Sequence, residues 1–308
     1  MNRRDLMGLL TAAPLLSAAL AGCQTAPSTQ TPAPAAAPAS PAPPPPAAPK
    51  RPPRLGLALG GGAARGFAHI GVIQVLEEAG IRPDLVVGTS AGSLVAALYA
   101  SGKKGAELAN LALTLDEGAI TDWAFPGRGM IRGDALARFV REQTAGMSIE
   151  QMPLRLGIVA TDLDSGGAIL FERGDTGQAV RASSSVPAVF RPVSIGGREY
   201  VDGGLVSPVP VRFARQMGAE MVLAVDISTP PDGAGTGDTL KLLLQTFAIM
   251  GQSIKQFELR DADVVLRPPL LGVSGADFTS RVRALRAGRE TATAMLPAIR
   301  AKLEALAR

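Results

Sequence analysis

The sequence contains very little histidine and cysteine. Its 308 residues include one histidine, His69, and one cysteine, Cys23. A single cysteine excludes an intrachain disulfide, and metal sites built from several histidine or cysteine ligands are excluded as well. We therefore expect no metal site and no cofactor.

Charged and aromatic side chains are also sparse. They make up 19% and 4% of the residues, and the formal net charge is +4. The basic residues form no cluster interleaved with aromatic residues, which would be typical of a nucleic-acid-binding surface. We expect no nucleic-acid partner, and the small basic excess favours an anionic surface only weakly.

The N-terminus has the features of a bacterial export signal. Two arginines precede an apolar run, residues 6–20, which is too short for a membrane span of about 20 apolar residues. The next residues, Leu20-Ala21-Gly22-Cys23, resemble the lipobox of bacterial lipoproteins, in which the cysteine is lipidated. We expect residues 1–22 to be a lipoprotein signal peptide and Cys23 to carry a lipid anchor. The alternative is an ordinary secretory signal in which Cys23 has no role.

This anchor would place the protein in the bacterial cell envelope, and Gln24 after the cysteine resembles a signal for sorting to the periplasmic face of the outer membrane. Residues 24–53 hold 12 of the 25 prolines and cannot bury a core. We expect residues 23–53 to be an extended tether. Residues 54–308 are expected to fold as one domain, which is long enough for a sizeable core.

The folded part alternates between strands, glycine turns and helices. An apolar strand at residues 55–59 is followed by Gly60-Gly61-Gly62 and a helix, and a strand at residues 85–87 is followed by Ser90 and a helix. This order predicts parallel βαβ units, hence an α/β fold with a mostly parallel central sheet covered on both faces. Further strands are expected at 154–161, 168–172, 221–226 and 264–267. Further helices are expected at 104–115, 134–145, 176–184, 210–217, 240–260 and 281–306. In such a fold ligands bind at the carboxyl ends of the strands, where both glycine turns fall.

Ser90 lies in Gly88-Thr89-Ser90-Ala91-Gly92, which matches the G-x-S-x-G nucleophile elbow of serine hydrolases. The elbow requires a strand, a sharp turn and a helix, and the sequence predicts all three around Ser90. Ser90 is therefore a candidate nucleophile. The alternative is a serine that only caps the following helix.

The run from Gly60 to Gly66 lacks the spacing of a Walker A or a Rossmann nucleotide-binding loop. It offers backbone N–H groups at a helix N-terminus, which suit an anion or the oxyanion of acyl transfer. The alternative is a tight turn that uses glycine only for its geometry. His69, in the first turns of the following helix, is expected to be a packed structural residue.

Asp202 starts Asp202-Gly203-Gly204 at the end of a predicted strand. The Asp-Gly pair is a turn signal, but it could also deliver a carboxylate to the edge of the sheet where Ser90 lies.

Together these motifs resemble the bacterial members of the patatin-like phospholipase family. The resemblance spans residues 54–226 and depends on the run from Leu57 to Val72, the Ser90 elbow and Asp202-Gly203-Gly204. The run Ser183-Ser184-Ser185-Val186-Pro187 also looks like a family loop, to which we assign no role. The sequence departs from the family's glycine motif at Ala63, where a third glycine is expected.

The resemblance implies a three-layer α/β/α fold and a Ser-Asp dyad, in which Ser90 attacks an ester carbonyl and Asp202 takes the proton. The amides near Gly61, Gly62 and Ala63 would form the oxyanion hole, and Arg65 would orient that loop or meet a phosphate. The implied substrates are phospholipids, lysophospholipids or other lipid acyl esters. Two alternatives remain: an esterase for soluble acyl esters or thioesters, and a non-catalytic envelope lipoprotein that binds anionic headgroups.

The C-terminal segment has an amphipathic pattern with two interpretations. It is either a helix that packs on the core with a solvated basic face, which we favour, or a helix that contacts a membrane. The apolar positions are Val282, Leu285, Leu296, Ile299, Leu303 and Leu306. The basic positions between them are Arg281, Arg283, Arg286, Arg289, Arg300 and Lys302.

Overall fold

The structure is a computed structural model, and the residues it describes are 50–116, 118, 120, 122, 129–228, 237–273 and 278–308. The predicted signal peptide, Cys23 and the predicted tether up to residue 49 lie outside the described residues.

The described residues contain ten strands. They are β1 (Leu55–Leu59), β2 (Leu85–Thr89), β3 (Gly129–Ile131), β4 (Arg155–Asp162), β5 (Ala168–Phe171), β6 (Ala188–Phe190), β7 (Val193–Ile195), β8 (Arg198–Asp202), β9 (Met221–Val225) and β10 (Val264–Leu266). Eight of them form the central sheet, in the order β10-β9-β1-β2-β4-β8-β7 with β5 also paired to β4. Strands β10, β9, β1, β2 and β4 are mutually parallel, and β5, β7 and β8 are antiparallel to their neighbours. The mostly parallel sheet predicted from the sequence is therefore confirmed.

The described residues also contain eight α-helices. They are α1 (Phe67–Glu78), α2 (Ala91–Ala100), α3 (Gly105–Thr114), α4 (Asp134–Gln143), α5 (Thr176–Ser183), α6 (Val211–Gln216), α7 (Thr239–Glu258) and α8 (Arg281–Leu306). The predicted helices agree with these to within a few residues, and the last one agrees at both ends. The sequence did not predict β3, β6 or β7, because a strand of three residues is too short to show a period of two.

The two faces of the sheet carry separate cores, which gives the three layers. In β1, Leu55, Leu57 and Leu59 pack with helices α1, α2, α3 and α8 on one face. Ala58 faces the other side, where it packs with Phe213 and its neighbours in α6. Side chains of successive strand residues point to opposite faces, so a strand that is buried throughout serves both layers.

The C-terminal helix α8 packs against the core through its crossing with α1. A Cβ atom at Gly71 would overlap the carbonyl oxygen of Leu285, and one at Gly288 would overlap that of Ala68, so both crossing points require glycine. Ile299 is fully buried. The predicted apolar positions at 285, 296, 303 and 306 also pack on the core, which favours the core-packing interpretation of this helix. Within the described part of the chain, no helix has the length and apolar character needed to cross a bilayer.

Candidate active site

Ser90 occupies a strained turn between β2 and α2. Its φ of 52° and ψ of −124° lie in a region that residues other than glycine seldom adopt. A Cβ atom at Gly88 would overlap the backbone of Gly92, and one at Gly92 would overlap the carbonyl of Leu59. The glycines of the G-x-S-x-G motif are therefore required by the close approach of the turn, the helix and β1.

The Ser90 hydroxyl donates a hydrogen bond to Asp202, with 2.7 Å between Oγ and Oδ2. The register of β4 explains this contact. One edge of β4 pairs with β5 at residues 158–161, so β2 and β8 must share the other edge. There β2 pairs in parallel up to Thr89 opposite Val159, and β8 pairs antiparallel up to Asp202 opposite Ala160. The carboxyl ends of β2 and β8 thus meet head to head, and the residues at the junction touch.

The Asp202 carboxylate is enclosed, with 6% of the residue exposed. Burial raises its pKa from 3.8 to about 6, although hydrogen bonds from the Ser90 hydroxyl and the Gly204 amide act in the opposite direction. The Gly204 N–H lies 2.7 Å from Oδ1, so both carboxylate oxygens have a donor. A carboxylate with a raised pKa is a stronger base toward the serine hydroxyl than an exposed aspartate.

Ser183 holds the turn from the opposite side. Its hydroxyl accepts a hydrogen bond from the Ser90 N–H at 2.8 Å and donates one to the carbonyl of Val159 at 2.5 Å. The sequence marked the run that begins with Ser183 but gave it no role. The only signal was its serine-rich composition, because the partner residues lie 93 and 24 positions away.

The glycine loop lies beside Ser90, but not all of its amides are free. The Gly61 N–H donates to the carbonyl of Pro208 at 3.0 Å, as the Gly60 N–H does to that of Val225. This corrects the predicted donor set, because an amide held by Pro208 cannot also bind an oxyanion. Among the described residues, no acceptor bonds to the amides of Gly62 and Ala63, and both line the cavity at Ser90. Their role as oxyanion donors stays a prediction.

His69 is fully buried below the loop and hydrogen-bonded, as the sequence predicted. Its Nε2 lies 2.8 Å from the carbonyl oxygen of Gly60, so Nε2 carries the proton and donates. Burial lowers its pKa to about 4, which keeps the ring neutral. The ring thus supports the glycine loop, and the bond from the Ser90 hydroxyl goes to Asp202 instead.

Arg65 holds the C-terminal end of the glycine loop by a hydrogen bond. Its Nε donates to the carbonyl of Ile227 at 3.0 Å. Burial lowers the pKa of its guanidinium group, and the charge of Asp226 opposes that shift. This geometry fits the predicted loop-orienting role of Arg65.

Two cavities meet at Ser90. One, of about 350 Å³, has a mixed lining that includes the polar residues Asp202, Gln245 and Gln252 and the apolar residues Leu205 and Phe247. The other, of about 850 Å³, extends between α2, α3 and α4, and its lining includes Leu94, Leu98, Leu108, Leu111, Leu136 and Phe139. Ser90 therefore lies between a smaller cavity of mixed lining and a large apolar one.

Comparison with known proteins places these features in a family. The family model described as "Patatin-like phospholipase" matches residues 57–215. An uncharacterized NTE family protein of Mycobacterium tuberculosis is 37% identical over 179 residues, which cover 57% of this chain and 49% of that protein. A second uncharacterized NTE family protein of that species is 31% identical over 271 residues, which cover 79% of this chain and 46% of the relative. The chain thus spans about half the length of these curated relatives.

A solved structure shows the same fold. The crystal structure of VipD from Legionella pneumophila superposes with a TM-score of 0.55 at 15% sequence identity. The match covers 81% of this chain and 68% of VipD.

Proposed function

This chain belongs to the patatin-like phospholipase family, and we propose that it is a serine acylhydrolase that cleaves lipid acyl esters with Ser90 and Asp202. Membership of the family supports carboxylic ester hydrolysis on lipids in general terms. The finer assignment depends on one observation, the 2.7 Å hydrogen bond from the Ser90 hydroxyl to the buried carboxylate of Asp202.

The proposed reaction has two steps. Ser90 Oγ attacks the ester carbonyl while its proton passes to Asp202 Oδ2, and the amides of Gly62 and Ala63 bind the oxyanion. The bond to the alcohol oxygen then breaks, and Asp202 returns the proton to the leaving alcohol. In the second step Asp202 takes a proton from water, and the water oxygen attacks the carbonyl carbon of the acyl-enzyme. The bond from that carbon to Ser90 Oγ then breaks, Asp202 returns the proton to Oγ, and the fatty acid leaves. Each oxyanion donor contributes roughly 3 kcal/mol to lowering the barrier.

The two cavities support a lipid as the substrate. We assign the acyl chain to the apolar cavity of about 850 Å³ and the alcohol portion to the smaller cavity of about 350 Å³, which contains Gln245, Gln252 and Ser228. Ester substrates whose acyl chain fills an apolar cavity gain about 0.8 kcal/mol for each methylene that leaves water. We therefore expect kcat/KM to rise with acyl length in a series of soluble 4-nitrophenyl esters.

A fluorophosphonate probe tests the nucleophile. We expect labelling of the full-length protein at Ser90, located by peptide mass spectrometry, because covalent reaction requires an activated hydroxyl. Ser90→Ala should abolish labelling, whereas Ser101→Ala, at the far end of the same helix, should not change it. Labelling at another serine, or none in a folded protein, would remove the basis for the enzyme assignment.

A second experiment separates a lipid esterase from an esterase for soluble esters. Leu111→Trp places a large side chain on the wall of the apolar cavity, away from Ser90. It should lower kcat/KM for a dodecanoate ester at least about tenfold and leave the acetate ester unchanged. Equal rates with both esters before and after the substitution would favour the soluble-ester alternative.

We further propose that a lipid on Cys23 anchors the protein in the bacterial envelope, as its lipobox-like sequence indicates. Cys23→Ser should move the protein from the membrane fraction to the soluble fraction and leave hydrolysis of soluble esters intact. Recovery of the serine variant in the membrane fraction would contradict this proposal.

A further inference from the structure

Helix α7 has its polar and apolar sides reversed relative to an ordinary surface helix. Its only buried side chains are Lys255 and Glu258, and both are charged. Large apolar side chains instead face outward: Leu242, Ile249 and Met250 are each 52% exposed and Phe257 is 63% exposed. A surface helix of a globular protein normally turns its apolar stripe toward the core and its charges toward water.

The exposed apolar residues form one stripe. At 100° per residue, Leu242, Ile249, Met250 and Phe257 fall on the same side of the helix, together with Thr246 and Ser253. Within α7 no charged residue lies on this side, which we call the outer face of α7, and Arg260, just beyond the end of the helix, lies 4.8 Å from the centre of the Phe257 ring.

The inner face of α7 covers the site. Gln245, Gly251 and Gln252 line the smaller cavity, while Lys241 and Leu244 line the apolar cavity. The helix therefore forms part of the wall of both cavities at Ser90.

Polar bonds fasten the C-terminal end of α7 to the body of the protein. Lys255 forms an ion pair with Asp226 at 3.1 Å, and Glu258 accepts a hydrogen bond from the Val209 N–H at 3.1 Å. The outward position of the apolar stripe is thus fixed, because rotating the helix would break both bonds and separate the buried carboxylate of Asp226 from Lys255.

The area of the outer face of α7 indicates whether its binding partner is a second protein chain or a lipid surface. A helix of 20 residues is about 30 Å long and about 10 Å wide, so one side offers roughly 300 Å². A stable protein interface needs about 800 Å² from each partner. An amphipathic helix in the plane of a lipid surface buries only its apolar face, so the area of one side of a helix is enough to contribute to binding.

We propose that the outer face of α7 docks on a lipid–water interface and brings the mouth of the Ser90 cavity against the lipid that it hydrolyses. The identity of that lipid as substrate rests on the proposed function, but the docking can be measured without catalysis. Because α7 itself contributes no charge to this face, we expect zwitterionic lipid to be sufficient for docking.

A tryptophan reporter tests docking directly in the full-length protein. Trp123, the single tryptophan of the chain, is replaced by phenylalanine, and Ser90→Ala prevents turnover. In this background Met250→Trp reports on the outer face, and Val282→Trp, at a position 53% exposed on α8, is the matched control. Phosphatidylcholine vesicles are added with and without dibrominated acyl chains, which quench tryptophan inside the bilayer.

We expect the fluorescence of Met250→Trp to shift to shorter wavelength with vesicles and to fall at least about twofold with brominated lipid, while Val282→Trp stays unchanged. Equal quenching at both positions, or none at either, would overturn the proposal. A blue shift at position 250 without vesicles and without quenching would also overturn it. If that shift depends on protein concentration, a second copy covers the face, and otherwise another part of this chain does.

A kinetic experiment separates the docking proposal from the proposed function. Leu242→Gln with Ile249→Gln removes two apolar side chains from the outer face without touching the cavity lining, and Leu113→Gln with Val282→Gln is the control of similar exposure. The first pair should lower hydrolysis of phosphatidylcholine in vesicles about tenfold or more and leave kcat/KM for a soluble short-chain ester unchanged. If the first pair leaves the rate of phosphatidylcholine hydrolysis in vesicles unchanged, docking is refuted and the proposed function is not. If wild-type protein hydrolyses neither the vesicle lipid nor the soluble ester, the proposed function is refuted.

Discussion

Replacing Asp202 with asparagine should remove activity and, above pH 6, make the protein more stable. Asparagine has the same shape and keeps both hydrogen bonds, since its oxygen accepts from Gly204 and its amide donates to Ser90 Oγ. Only the buried negative charge is lost. Loss of the proton acceptor should lower kcat about 1000-fold or more.

The size of the stability gain follows from the pKa of Asp202. Burial raises it from 3.8 to about 6, roughly two units, and each unit corresponds to about 1.4 kcal/mol. The ionised carboxylate therefore destabilises the fold by about 3 kcal/mol above pH 6. The penalty disappears below about pH 4, where the group is protonated in both the folded and the unfolded state. Asp202→Asn should thus raise Tm by several degrees at pH 8 and have little effect at pH 4.

The measurement is thermal unfolding of wild type and variant at both pH values. Asp162→Asn is the matched control, because this aspartate is also buried at a strand end, but hydrogen bonds from Ser165 and the charge of Arg198 lower its pKa. The control should lose stability at pH 8, since a favourable interaction of its carboxylate is removed. If Asp202→Asn is less stable than wild type at pH 8, or gains equally at both pH values, the buried carboxylate does not impose the penalty that its raised pKa implies.

Three further predictions concern the same site. In wild type kcat/KM should fall about tenfold between pH 7 and pH 5, because Asp202 must be ionised. Glu258→Gln is the control, since burial raises the pKa of Glu258 to about 7, and this variant should show the same fall in kcat/KM. If the fall disappears in Glu258→Gln, the titrating group is Glu258. His69→Gln should retain hydrolysis, because the glutamine side chain also offers a donor to the carbonyl of Gly60. If the variant is folded but inactive, and kcat/KM of wild type falls near neutral pH, the proton acceptor is His69. Ser183→Ala should lower kcat about tenfold or more, because it removes the hydrogen bond to the Ser90 N–H that holds the turn. Ser185→Ala is the control and should leave kcat unchanged, since the Ser185 hydroxyl bonds within its own segment. Equal losses in both variants would indicate general damage to the loop.

The glycine loop shows which features of the site the sequence predicts and which it does not. The glycine run predicted free amides next to the serine, and the structure brings the loop beside Ser90. The glycine run could not predict that the Gly61 N–H donates a hydrogen bond to the carbonyl of Pro208, which lies 147 positions away in the sequence. A backbone donor is free or occupied according to its tertiary neighbours, and local composition carries no record of them.

The sequence alone determined most of the helices and strands, although not the three-residue strands β3, β6 and β7, and the residue types of the candidate site. Apolar runs bounded by glycine specify buried strands that end in turns, and the motifs around Ser90 and Asp202 marked both as candidate site residues. Only the tertiary structure decided that β2 and β8 meet head to head along β4, which joins two residues 112 positions apart in one hydrogen bond. It also decided which side of α7 faces outward, since the helix is held by bonds from Lys255 and Glu258 to distant loops. Periodicity in a sequence reports how each segment is buried, whereas strand pairing and helix orientation depend on contacts between segments that are far apart in the chain.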